Sequence, residues 1–347
     1  MSAAAVPRFT PEELDRFLIA PDAGERLSPL GGAGALVLDL LGEGAGNADG
    51  GLERVATSLP WLPCVTIAVG GGAAATEGRR LADACDVALA DDRGLDALVA
   101  GFADTPRAAL AFVQLLRGSE TAPIPAALVA ESFVYSTLQS GSEFGHWLAG
   151  WKRRRRRVRP DDAPACRLER DRGRLEIWLS RPARRNAFSR AMRDALVEAC
   201  QLAIADPGIE EIVVRGDGEA FCSGGDLDEF GSFPDAAEAH VIRTTRSPAL
   251  LLSRLAARVR AEVHGACIGA GVELPAFVGR VVADEDAFFQ LPEVGMGLVP
   301  GAGGTVSLPR RIGRQRTAWL GLSGQRIDAR VALDWGLVDE VRLGQDL

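Results

Sequence analysis

The chain has 347 residues, room for about two domains of ordinary size, and its 47% hydrophobic and 25% charged residues fit a folded globular protein rather than a disordered one. A net charge of −8 offers no general attraction for nucleic acid or anionic membranes, and no apolar run approaches the roughly 20 residues that a membrane span requires. With no basic patch followed by an apolar stretch at the N-terminus, a cytoplasmic location is expected.

In chain order, the first half offers three apolar, strand-like segments: GALVLDLLGEG, LPCVTIAV and CDVALADD. Directly after LPCVTIAV, Gly70, Gly72 and Ala75 fit the dinucleotide-binding pattern G-x-G-x-x-A, with Asp91 and Asp92 roughly 20 positions on. In a chain this rich in glycine and alanine such a string arises easily. The stretch 124–151, IPAALVAESFVYSTLQSGSEFGHWLAGW, reads as helical. Residues 152–165, KRRRRRVRPDDAPA, carry charge, two prolines and nothing to bury, and read as a linker; the functional alternative is that Arg153 to Arg157 grip the phosphates of a nucleotide-containing ligand.

Beyond the linker β and α patterns alternate. RLEIWLS alternates as a strand, and Ser189 can cap a helix reaching Ala205 whose apolar face carries Met192, Leu196, Ala199 and Ala203. EEIVVRG is the next strand, leading into the glycine-rich loop GDGEAFCSGGD. A long helical pattern covers about 236–258, then the strand ARVRAEVHG enters a second glycine-rich turn at 265–271, and GRVVADE is a further short strand. Strands separated by helices predict an α/β fold with a parallel sheet.

The two halves share a rhythm. GALVLDLLGEG resembles EEIVVRGDG, and placing Val69 on Val263, an offset of 194, puts Asp92 on Asp286 without a gap. A degenerate tandem repeat is expected. Arg79 then stands where Glu273 does, and Val99 where Glu293 does, so the first copy lacks the carboxylates of the second.

Scarcity narrows the chemistry. Lys152 is the only lysine, which removes a phosphate-loop lysine and disfavours a Schiff base. His146, His240 and His264 are too scattered for a zinc set or a Ser-His-Asp relay, and the six cysteines, without a C-x-x-C pair, read as reduced, buried thiols. Carboxylates and backbone amides remain. Glycine-rich turns that lead from a strand toward a helix can aim N–H groups at a developing oxyanion, although the same glycines serve equally well as plain tight turns. Glu273, in GVELPAF, and Glu293, in FFQLPEVGMGLVPGAGG, both fall in apolar stretches. A carboxyl buried there acquires the raised pKa that proton exchange near neutrality needs. Either glutamate alone is as readily a cap or an exposed side chain.

The second half resembles the crotonase superfamily, the enoyl-CoA hydratases and isomerases, over about residues 166–341. The runs that carry the resemblance are LSRPARRNAFS, GEAFCSGGDLDEF, VHGACIGAGVEL, QLPEVGMGLVPGAGG and LSGQRIDARVALDWGLVDEV, in order and with family-like spacing. The resemblance implies a crotonase-like ββα superhelix in residues 166–347, preceded by a smaller degenerate α/β domain in 1–151 and the linker 152–165. It places oxyanion amides at Gly225 and Ala270. It makes Glu273 the group that activates water for attack at C3, and Glu293 the proton donor to C2 of an enoyl-CoA. Gly224, Asp226, Leu227, Asp228 and Gly269 would line the acyl thioester, and Arg184 or Arg185 would stand where the coenzyme's nucleotide end passes. The resemblance implies no metal and no separate cofactor, coenzyme A entering as part of the substrate, and a homo-oligomer, trimer or hexamer. Isomerisation, decarboxylation, thioester hydrolysis, cofactor-free dioxygenation and non-catalytic acyl-CoA binding are the alternatives on the same fold. Pro275 should shorten or distort the helix bearing Glu273. Family members also continue past GLVDEV into helices that cover the pocket, a role expected here of the stretch 124–151.

Overall fold

The structure is a computed structural model that describes residues 5–41, 51–70, 76–154, 164–232 and 235–342. Gly72, Ala75 and Arg155 to Arg157, which belong to the dinucleotide-binding and phosphate-gripping alternatives, lie outside the described residues.

The first half forms a parallel sheet of β1 (Arg8–Phe9), β2 (Ala35–Asp39), β3 (Val65–Val69) and β4 (Val87–Leu89), in that spatial order. The second half builds two sheets. One contains β5 (Cys166–Asp171), β6 (Arg174–Leu179), β7 (Glu211–Gly216), β8 (Val259–Val263), β10 (Arg280–Asp284) and β13 (Glu340–Arg342), ordered β13-β10-β8-β7-β6-β5. All its pairs are parallel except β5 with β6. The other is small, with β9 (Ala266–Ile268) parallel to β11 (Phe288–Gln290) and β12 (Ile327–Asp328) antiparallel on the far edge. Alternation decides which face is inward: in β6, Leu175, Ile177 and Leu179 are buried while Arg174, Glu176 and Trp178 face outward.

The offset of 194 reappears in strand register. Ile67 of β3 pairs with Val87 of β4, and Ala261 of β8 pairs with Val281 of β10, both partners 194 positions on.

Two expected elements differ. The helical pattern 236–258 is broken into Ala236–Thr245 and Pro248–Leu255, because Pro248 cannot donate into a continuing helix while the Ser247 side chain caps the new one at Leu250. The basic run begins inside a helix, since Ser142–Arg154 includes Lys152 to Arg154. The Ser189 cap is as expected, accepting the Met192 N–H at the head of Arg190–Ala205.

The halves are not separate bodies. Phe102 and Phe112 of the first half share one apolar cluster with Val294, Val299, Ala318 and Leu322 of the second, and each fully buried large side chain contributes about 1.5–3 kcal/mol. A polar clamp crosses the same boundary. Asp86, 1% exposed, accepts two bonds from Arg117 at 2.9 and 2.7 Å, two from Thr66 at 2.9 Å, and one from Arg314 of the second half at 3.4 Å.

Candidate active site

The small sheet brings the two glutamates together. Parallel pairing of β9 with β11 sets Ile268 opposite Gln290, so the chain leaves both strands at the same edge. One exit leads through Gly269 to the short helix Ala270–Glu273, and the other to Glu293 at the head of the turn Val294–Met296. Residues far apart in sequence therefore meet because of a register, not because of local structure. Pro275 stops the first helix after Glu273, and a 3-10 turn, Pro275–Phe277, takes over.

The loop bearing Gly225 joins from the other side. Cys222 accepts the Ile268 N–H at 2.9 Å and donates its own to Ala266 at 3.1 Å, laying residues 220–225 along β9. Gly224, at φ +94°, packs its Cα against Gly269. Among the described residues neither the Gly225 nor the Ala270 N–H donates a hydrogen bond to the protein. Ala270 sits at a helix start, as expected. Gly225 does not: its segment bridges to Phe188, and the next helix begins only at Ala236.

One cavity of about 180 Å³ is lined by Gly225, Ala270, Glu273 and Glu293. Glu273 is 2% exposed, and its Oε2 accepts the Ala302 and Gly304 N–H groups, each at 2.8 Å. Burial pushes its pKa up to about 7, with the two amides pulling in the opposite direction. Glu293 Oε2 is buried with no hydrogen-bond partner among the described residues. Burial first and the Glu273 charge second hold its pKa well above the ordinary range. Gly269 permits this closeness: at φ +50°, it lies where a Cβ would overlap Glu293 Oε1.

Of the remaining expected residues, Asp226 lines the cavity but is engaged by Arg181 at 3.0 Å. Arg184 and Asp228 hold each other at 2.9 Å. Arg184, Arg185, Leu227 and Asp228 are not among the residues lining the cavity, and Gly224 and Gly269 support it from behind. Asp91 and Asp92, the acidic end of the alternative motif, pair with Arg93 and Arg8.

Sequence reasoning expected the first half to cover the pocket but missed the carboxyl that it brings there. Glu131, on the helix Ile124–Gln139, is 3% exposed and reaches into the second half. It accepts the Gly303 N–H at 2.8 Å, the Thr305 N–H at 2.9 Å and the Thr305 hydroxyl at 2.6 Å. Alternate amides of one loop thus go to alternate carboxyls, 302 and 304 to Glu273, 303 and 305 to Glu131. Burial, then the Glu273 charge, pushes Glu131 up to about 8. Tyr135 and Gln139 of the same helix line the cavity, so the stretch 124–151 does cover it. Gly301 is needed beneath Tyr135, whose ring lies 2.5 Å from where a Cβ would be. A glutamate and a tyrosine four residues apart on one helix face were the only available signal, and nothing local said what that face would meet.

The enoyl-CoA hydratase/isomerase family profile matches residues 169–347. The 2,3-dehydroadipyl-CoA hydratase of Escherichia coli is 39% identical over 170 residues, 48% of this chain and 65% of that protein. The mitochondrial Delta(3,5)-Delta(2,4)-dienoyl-CoA isomerase of Mus musculus is 35% identical over 184 residues, 50% of this chain and 56% of that protein. The crystal structure of a Mycobacterium smegmatis enoyl-CoA hydratase is 35% identical, with a TM-score of 0.49 over 52% of this chain and 71% of that one. This chain thus spans just under two thirds of the E. coli protein and less of the mouse one. With more than half of its residues matched by that profile, the chain belongs to the enoyl-CoA hydratase/isomerase family.

Proposed function

We propose that this protein adds water across the C2=C3 bond of an enoyl-CoA thioester. The observation that carries the reading is the pair of buried carboxyls, set to different proton affinities, in one cavity with the free amides of Gly225 and Ala270. Two titrating groups pushed apart by their surroundings divide the roles of base and acid between them. Glu273, the more readily ionised, takes a proton from water as its oxygen bonds to C3. The displaced electron pair moves through C2 onto the thioester oxygen, where the two amides meet the charge; each such donor contributes about 2.7–4 kcal/mol. Glu293, which keeps its proton, delivers it to C2 as the carbonyl re-forms. The amides of Ala302 and Gly304 fix Glu273 through Oε2 and leave Oε1 without a partner among the described residues.

In this reading residues 166–347 are the catalytic copy and 1–151 a degenerate copy joined to it through 152–165, with the equal strand registers as support. Arg79, exposed on Thr76–Ala84, and Val99, buried in Leu95–Phe102, stand where the catalytic copy has its glutamates. The first copy acts through Glu131, which positions the 302–305 loop, and through Tyr135 and Gln139, which roof the cavity.

The test is loss of the conjugated thioester absorbance with crotonyl-CoA and an aryl enoyl-CoA in anaerobic buffer. Glu273→Gln and Glu293→Gln should each lower turnover by about 10²–10⁴-fold. Full activity in either variant, as for an isomerase working with one carboxyl, or activity that requires oxygen, overturns the assignment.

A further inference from the structure

A second cavity, of about 140 Å³, shares Phe188, Arg193, Arg243, Gly301 and Ala302 with the first and runs on past Leu128, Val129 and Leu274. A chain that left the reacting carbons in the first space would pass Arg243 on its way into the second.

Arg243, on the helix Ala236–Thr245, is half-buried between them. Ser132 Oγ accepts its Nε at 3.1 Å, the Ser136 hydroxyl accepts from Nη2, and the guanidinium lies 4.7 Å over the Tyr135 ring. Ser132 is itself held by His240 Nδ1 at 2.9 Å. The anchors of Arg243 are therefore two hydroxyls, the Ser132 carbonyl, which accepts from Nη2 at 3.4 Å, and a ring face. Among the described residues Nη1 has no acceptor and no carboxylate lies within ion-pair distance.

The charged groups around it are otherwise engaged. Arg193 pairs with Asp194 at 2.9 Å, Asp226 with Arg181 at 3.0 Å, and Glu229 with Arg190 at 3.7 Å. Glu131 and Glu273 are bound to the 302–305 loop, and burial raises the pKa of Glu293 well above the ordinary range. A desolvated cation without a counter-charge is costly to keep unless an anion or strong acceptor meets it, and a guanidinium held in one plane is suited to a carboxylate or phenolic oxygen.

We propose that Arg243 receives an acceptor oxygen, carboxylate or phenolic, at the far end of the acyl group, so that the substrate is an oxygen-bearing rather than a plain hydrocarbon acyl-CoA. The inference rests on the acyl-CoA reading but not on hydration. It is tested by calorimetric binding of saturated thioesters, which cannot react: hexanoyl-CoA against adipoyl-CoA, and 3-phenylpropanoyl-CoA against its 4-hydroxyphenyl analogue. At least one oxygen-bearing ester should bind roughly tenfold more tightly than its plain partner, about 1.4 kcal/mol, and the pair that discriminates identifies the oxygen. Arg243→Met should erase the difference and Arg243→Lys should retain part of it. Equal affinities within both pairs for the unaltered protein, or a preference that survives Arg243→Met, overturns the subsite alone. Binding of none of the four overturns the acyl-CoA reading with it.

Discussion

Glu131→Gln probes the link between the halves most directly. The carboxylate receives three donors, Gly303 N–H on Oε1 and Thr305 N–H and hydroxyl on Oε2. Glutamine has one acceptor oxygen, so whichever way it turns, at least one buried donor loses its partner, at about 1–3 kcal/mol. Ionisation works the other way. A pKa pushed up to about 8, from an ordinary value of 4.5, means that the folded protein holds this proton more tightly than the unfolded chain. That contribution to stability is complete below about pH 4.5 and is lost as pH rises through about 8. Of the three pH values 5.5, 7 and 9, the cost of Glu131→Gln should therefore be largest at 5.5 and smallest at 9. Urea unfolding of both proteins at pH 5.5, 7 and 9 measures this directly. A cost that does not vary with pH refutes the claim that Glu131 titrates in the folded protein, and no cost at pH 5.5 refutes the claim that the loop depends on it.

The same geometry sets other outcomes. The profile of kcat/KM against pH should rise through about 7 as Glu273 ionises and fall at higher pH as Glu293 loses its proton; Glu131→Gln should leave the rising limb in place, because Glu273 ionises first. Gly269→Ala should lower kcat, since a Cβ at this left-handed position overlaps Glu293 Oε1; wild-type kcat in this variant counts against a catalytic Glu293. Asp86→Asn should cost about 3–5 kcal/mol in urea unfolding by leaving the side chain of Arg117, 9% exposed, without its counter-charge, and a loss below about 1 kcal/mol argues against Asp86 as a stabilising centre of that polar cluster.

Much of the scaffold was legible because it is built from local chemistry. Strand alternation in RLEIWLS, the Ser189 cap and the glycine turns each announce themselves within a few residues, whereas the glutamates of GVELPAF and QLPEVG, each as readily a cap or an exposed side chain by itself, took their roles from the resemblance. Where reading by periodicity failed, a local rule had been given too little weight: Pro248 divides the 236–258 pattern, and Ser247 caps the second of the two helices. The arginines illustrate the opposite limit. Arg184, placed by the resemblance where the coenzyme's nucleotide end would pass, pairs with Asp228, and Arg243, unremarkable in the sequence, lines two cavities.

The resemblance named the two carboxyls and two amides that share a cavity, while the sequence by itself determined the strands and caps and the alternation that makes an α/β fold. It did so because hydrophobic period, proline, glycine and helix capping act over one to four residues. Only the tertiary structure decided that Glu131, 142 positions before Glu273, reaches the same loop, and that among the described residues Arg243 has no carboxylate within ion-pair distance. Burial, desolvation and the distance to an opposite charge depend on everything packed around a group, and no segment of chain carries that information alone.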